Sequence, residues 1–186
     1  MRDMVVLVEL NGACCRSMAR KLRAEHIYCK ILPATATAEE ILAQDPLGVL
    51  LAGGDTGEPA VFPEGCGWTK TGLPLLAMGD AALGLCLALG GSLTPREDTP
   101  RVVQITLSDR HPALFDQVET EERYLAHPRC MVLCEGMEAV VQSPEGVLGL
   151  YQRERKLYGM AFQVEQNDPD GVLSGAMGNR FKQNVR

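Results

Sequence analysis

Residues 73–91, "LPLLAMGDAALGLCLALGG", decide how this sequence is read. The apolar run through Met78 predicts a strand, Gly79 a sharp turn, and the small and apolar residues from Asp80 onward a helix. This strand–turn–helix layout is the one in which enzymes raise a nucleophile above a sheet. The residue at the apex, however, is Gly79, which has no side chain.

Upstream of this stretch the chain alternates between short strands and helices. "MVVLVEL" (4–10) is a continuous apolar run with β-branched residues, as expected of a strand buried on both faces. Asn11 and Gly12 turn the chain into a helix carrying Met18 and Leu22 at helical spacing. "IYCKIL" (27–32) predicts a second strand, and Thr37-Ala38-Glu39-Glu40 a capping box opening a second helix. "GVLL" (48–51) is a third strand closed by Gly53-Gly54, and a loop rich in Gly and Pro then leads to about Gly72. The alternation predicts an α/β architecture, a mostly parallel sheet with helices on both faces. In such sheets, sites gather at the C-terminal ends of strands, so Gly53-Gly54 and Gly79 are expected to meet.

After Gly91 the pattern changes to short strands separated by turn residues: "RVVQITL" (101–107), "RCMVLCE" (129–135), "EAVVQS" (138–143), "VLGLYQ" (147–152) and "LYGMAFQ" (157–163). These predict a smaller antiparallel or mixed portion, followed by a closing helix over 172–185. At 186 residues, with no repeat or low-complexity tract, the chain is expected to form one domain over 1–186.

Composition narrows the function classes. A formal net charge of −6 argues against nucleic-acid binding, and the longest basic cluster, Arg153, Arg155 and Lys156, is broken by Glu154 and reads as a solvated turn. No apolar window is long enough to cross a membrane, and the N-terminus lacks the pattern of a secretion signal, so a cytoplasmic location is expected. The seven cysteines are odd in number and lack metal-like spacing; they read as reduced thiols, and no metal or other cofactor is expected.

The segments "VLVELNGACCRSMARKLRAEHIYCKILPATATAEEI", "GVLLAGG", "LPLLAMGDAALGLCLALGG" and "LYGMAFQVE" fall in the order and near the spacing of the class I glutamine amidotransferase domain. The chain most resembles the glutaminase domain of GMP synthase, and the resemblance covers nearly its whole length. It implies a three-layer, flavodoxin-like fold. In a working member, a cysteine at the elbow attacks the glutamine carboxamide and a histidine of an "HPE" segment acts as its base. The glutamate of that segment orients the histidine, and amides near the double glycine and the elbow bind the oxyanion. Ammonia then passes to an ATP-dependent synthetase.

Where the family elbow reads Gly-x-Cys-x-Gly-x-Gln, this chain reads Ala77-Met78-Gly79-Asp80-Ala81-Ala82-Leu83. The resemblance therefore places Gly79 at the nucleophile, Ala81 at the following glycine and Leu83 at the pocket glutamine. In "LYGMAFQVE" the base position is Gln163, Val164 replaces the proline, and Glu165 matches the orienting glutamate. Gly53 and Gly54 match the oxyanion loop. Glycine offers no lone pair for acyl transfer, and a carboxamide does not exchange protons near neutral pH. Asp80, one place along, is expected to point away from the elbow tip and to remain, with Gln163 and Glu165, as solvated leftover polarity in the old pocket, the alternative being a group that binds an amine or a cation. Cys86 is expected in the core.

The expected function is therefore a non-catalytic, amidotransferase-like binding or regulatory role. It would dock on an ATP-dependent synthetase such as the ATP-pyrophosphatase portion of GMP synthase, or hold a small-molecule ligand. The alternative is an active amidotransferase or hydrolase with a non-standard nucleophile. His127, in "YLAHPRC", occupies the place of the family's "SHGD" segment, with Pro128 and Arg129 replacing its Gly and Asp. It reads as a loop histidine, and neither His26 nor His111 has neighbours that suggest ligation. Trp68 is expected to pack the long loop against the body.

Overall fold

The structure, a computed structural model, describes residues 4–10, 12–116, 118 and 122–162. The apolar strands form its centre: β1 (Met4–Glu9), β2 (Tyr28–Pro33), β3 (Gly48–Ala52) and β4 (Leu75–Met78) lie parallel in the order β2-β1-β3-β4. β12 (Leu157–Met160) adds to β4 in parallel, Leu157 facing Leu75 and Met160 facing Met78.

Side chains two apart share a face, so an uninterrupted apolar strand feeds two cores. In β1, Val5 and Leu7 join one core, and Met4, Val6 and Val8 the other. β3 and β4 divide the same way, with Leu50, Ala52, Leu76 and Met78 on the first face and Val49, Leu51, Leu75 and Ala77 on the second. α1 (Gly12–Ala24) covers the first through Cys15, Met18, Ala19 and Leu22. α2 (Ala38–Leu42), through Ile41, and α3 (Asp80–Ala88) cover the second. α3 is apolar all round and is buried from Asp80 to Cys86, as a helix without a polar face must be. Each large side chain so enclosed contributes about 1.5–3 kcal/mol.

Local signals are realised as written. At α2 the Thr37 hydroxyl accepts from the Glu40 amide at 3.2 Å, and the Glu40 carboxylate accepts from the Thr37 amide at 2.8 Å. Trp68 is fully buried; its indole N–H donates to the Ala36 carbonyl at 2.7 Å and its ring lies 5.3 Å from that of Phe62. The tryptophan thus pins the long loop to the sheet, as expected.

The second half is antiparallel and more broken than the sequence predicts. β10 (Glu138–Ser143) and β11 (Gly146–Gln152) form a hairpin extending the sheet from β12. "RVVQITL" is two strands: β6 (Arg101–Gln104) pairs with β8 (Glu122–Leu125) in a separate ribbon, while β7 (Thr106–Leu107) pairs with β10. Of "RCMVLCE" only β9 (Met131–Val132) is a strand, paired with the two-residue β5 (Ser92–Leu93) and with β11. β5 and β8 have no apolar run; β8 reads "ERYL", with Arg123 among its inward residues. The predicted helix over 172–185 lies outside the described residues.

Candidate functional site at the glycine elbow

The turn after β4 places Gly79 at φ 60° and ψ −132°, and α3 starts at the next residue. A residue with a Cβ held in this sparsely populated region costs about 1–3 kcal/mol, whereas glycine enters it freely. The Gly79 amide donates to the Met160 carbonyl at 2.8 Å, fastening the elbow to β12, and its carbonyl accepts from the Ala82 amide at 2.9 Å. The elbow is therefore intact as backbone, and it raises no side chain.

The loop after β3 meets it, as the topology predicts. The Gly53 amide donates to the Met78 carbonyl at 3.2 Å, and the Asp80 amide donates to the Gly54 carbonyl at 2.9 Å. The approach is so close that a Cβ built on Gly53 overlaps the Ala81 nitrogen and stands 2.8 Å from the Met78 oxygen. Gly53, Gly54, Met78, Gly79, Asp80 and Ala81 form one backbone cluster. Within it, the amides of Gly53 and Asp80 are both engaged by carbonyls of the cluster.

Asp80 departs from the expectation of solvated leftover polarity. Its side chain points away from the elbow tip into the loop after Gly54, and the residue is only 6% exposed. Its carboxylate accepts from the Thr56 amide at 3.0 Å, the Thr56 hydroxyl at 2.7 Å and the Gly57 amide at 3.0 Å. An ionised carboxylate surrounded by donors and at the start of a helix is well compensated. Asp80 is a clamp on residues 56 and 57, fully occupied by the protein. Ala81 and Leu83 are buried in the second core, so Leu83 contributes packing there. Gln163 and Glu165 lie outside the described residues; the chain is followed to Phe162, two residues beyond the strand end that flanks the elbow.

Two contributors were not read as site residues from the sequence. Arg129 reaches from the segment before β9 and donates to the Thr94 carbonyl at 2.8 Å and the Gly57 carbonyl at 3.1 Å. It therefore straps the loop that Asp80 clamps. Thr56, an ordinary loop threonine by sequence, supplies two of the three donors to Asp80. His127 stands beside this strap, with Nδ1 3.8 Å from the Asp98 carboxylate. His111 is held apart from the elbow by the Ser108 carbonyl and Asp116. Cys86 is fully buried with its thiol near the Ser92 and Val132 carbonyls, and burial pushes it up to about 11.

No family model matches the sequence. GMP synthase [glutamine-hydrolyzing] of Clostridium novyi is 25% identical over 175 residues, covering 88% of this chain and 33% of that protein. The Thermobifida fusca enzyme of the same name is 27% identical over 182 residues, covering 88% and 32%. The chain thus spans about a third of the length of the curated relatives it matches. Among solved structures, a candidate GMP synthase subunit of Thermoplasma acidophilum superposes with a TM-score of 0.73 at 16% identity, covering 100% of this chain and 94% of that one. A glutamine amidotransferase of Thermotoga maritima gives 0.67 at 15% identity, covering 100% and 99%. The homologues of this chain are thus GMP synthases over their glutaminase-domain portion, and its fold is that of glutamine amidotransferases of solved structure.

Proposed function

We propose that this domain does not hydrolyse glutamine and acts by binding, docking on an ATP-dependent synthetase of the GMP synthase kind or holding a small ligand. The observation that carries this reading is the elbow: a backbone in the conformation that presents a nucleophile, built around a residue with no side chain. Two further features support it. The amides of Gly53 and Asp80, at positions the resemblance gives to the oxyanion site, donate to carbonyls within the cluster. The carboxylate beside the elbow is occupied by Thr56 and Gly57. By resemblance, Gln163 stands at the base position and cannot take the proton that acyl transfer requires.

An active enzyme with another nucleophile finds no support at Cys86, which is buried and held as the thiol. The docking arm rests on the relatives, whose name joins glutamine hydrolysis to GMP synthesis in proteins about three times as long.

The test is ammonia release from glutamine by the full chain, alone and with the synthetase portion of GMP synthase. A mass measurement after exposure to an electrophilic glutamine analogue accompanies it. Neither ammonia nor an adduct is expected, and co-elution with the synthetase is. Glutamyl adduct formation overturns the non-catalytic reading. Failure to co-elute, with no thermal shift from nucleotides or amino acids, overturns the binding role.

A further inference from the structure

The opposite end of β4 from the elbow carries a second feature, a cleft of about 360 Å³ lined by Thr69, Lys70, Gly72, Glu154, Arg155 and Lys156. Its two walls are far apart in sequence. One is the turn around Trp68–Lys70; the other is the tight connection between β11 and β12. Sheet pairing fixes them together: the Leu75 amide donates to the Lys156 carbonyl at 3.0 Å, and Leu157 pairs with Leu75. Lys156 is held at φ 54°, which sets the direction in which the connection leaves for β12.

The cations of this cleft, like Arg20 and Arg110, lack protein partners among the described residues. Elsewhere on the surface, Arg96 pairs with Glu58 and Asp98, Arg101 with Glu97 and Glu145, and Arg153 with Glu138. The side chains of Lys70, Arg155 and Lys156 make no ion pair or hydrogen bond among the described residues. A chain of net charge −6 therefore gathers three unneutralised cations around one cavity, against a single carboxylate, Glu154. Like charges held together without a counter-charge repel, and an anion placed between them removes that repulsion.

We propose that this cleft binds a small phosphate ester. A guanidinium offers a two-pronged donor and each ammonium a point charge, a set that several oxygens of one phosphoryl group satisfy together and a lone carboxylate does not. The Thr69 hydroxyl adds a neutral donor on the same wall. The volume lies at the lower end of the range for small-molecule sites and exceeds what a bare phosphate ion fills, which leaves room for an organic body. Glu154, also in the lining, supplies an acceptor for a hydroxyl or amine and disfavours ligands that are anionic throughout. The site lies at the N-terminal ends of β4 and β12, about 10 Å along the strand from the elbow, and it stands independently of whether the elbow is catalytic.

The experiment is calorimetric titration of the full chain with ribose 5-phosphate, inorganic phosphate and succinate, with amide chemical shifts as a second readout. Saturable 1:1 binding of ribose 5-phosphate is expected, weakened by added salt, with shifts at Lys70, Gly72 and Lys156. The double variant Lys70→Ala/Arg155→Ala should weaken it by about tenfold or more. Lys156→Asn removes the third cation with a residue that tolerates the left-handed backbone, and should weaken binding without lowering the melting temperature. Absence of saturable binding, or equal affinity in both variants, overturns the proposal. Succinate binding as tightly overturns the phosphate assignment, and inorganic phosphate binding as tightly overturns the ester.

Discussion

Placing a side chain on the elbow isolates its backbone from its chemistry. In Gly79→Ala and Gly79→Cys a Cβ must be carried at φ 60° and ψ −132°. The strain costs about 1–3 kcal/mol, and the loss of glycine's freedom in the unfolded chain returns about 0.4–1 kcal/mol. At the middle of both ranges the net loss is about 1.3 kcal/mol. For a chain of 186 residues, each kcal/mol shifts the midpoint by about 2–4 °C, so melting should fall by about 3–5 °C. Urea unfolding followed by circular dichroism reads the same difference as a lower midpoint at unchanged slope. Because strain depends on the Cβ and not on the sulfur, the two variants should agree within about 0.5 kcal/mol. Neither should release ammonia from glutamine, the cysteine variant included, since restoring a thiol does not restore a base. A Gly79→Cys protein as stable as the parent refutes the strain argument, and one that hydrolyses glutamine refutes the non-catalytic reading.

Other predictions concern the loops around the elbow. Asp80→Ala leaves the Thr56 and Gly57 donors without their acceptor; it should cost about 1–3 kcal/mol and abolish hydrogen-exchange protection at both amides, and retained protection would contradict the clamp. Gly53→Ala drives a Cβ into the backbone of Ala81 and should destabilise by about 1–3 kcal/mol, visible as a lower urea midpoint. Trp68→Ala empties a fully buried site and strands the Ala36 carbonyl; a loss of about 3–5 kcal/mol is expected, and proteolysis within the loop should accelerate. Cys86 binds its proton more tightly folded than unfolded, with its value raised from 9.0 to about 11. The unfolded chain releases that proton first, so this contribution to stability is complete below pH 9.0 and lost as pH rises toward about 11. Cys86→Ser should flatten stability over that window relative to the parent.

At the elbow, the structure changes the reading of Asp80. Asp80 reads as polarity left behind by a lost reaction, because sequence shows only that a carboxylate follows Gly79. Its partners, Thr56 and Gly57, lie more than twenty positions upstream in a loop whose path no periodicity encodes. Arg129 was visible as a departure from the family pattern, yet its bonds to Gly57 and Thr94 join segments that only folding brings together. In the antiparallel half, β5 and β8 escaped because two- to four-residue strands derive their existence from the neighbour they pair with.

What the sequence determined alone was everything carried by local periodicity and by the absence of atoms. The apolar runs of β1, β3 and β4 demand burial on both faces, Thr37 and Glu40 cap their helix, and no fold can give Gly79 a nucleophile. Tertiary structure decided which polar groups meet. It turned Asp80 inward onto Thr56, engaged the Gly53 amide with the Met78 carbonyl, and assembled the cationic cleft from segments more than eighty residues apart. The physical reason is range. Hydrophobic alternation and capping act over a few residues and are written along the chain, whereas hydrogen bonds and charge clusters depend on distances that exist only once the sheet has closed.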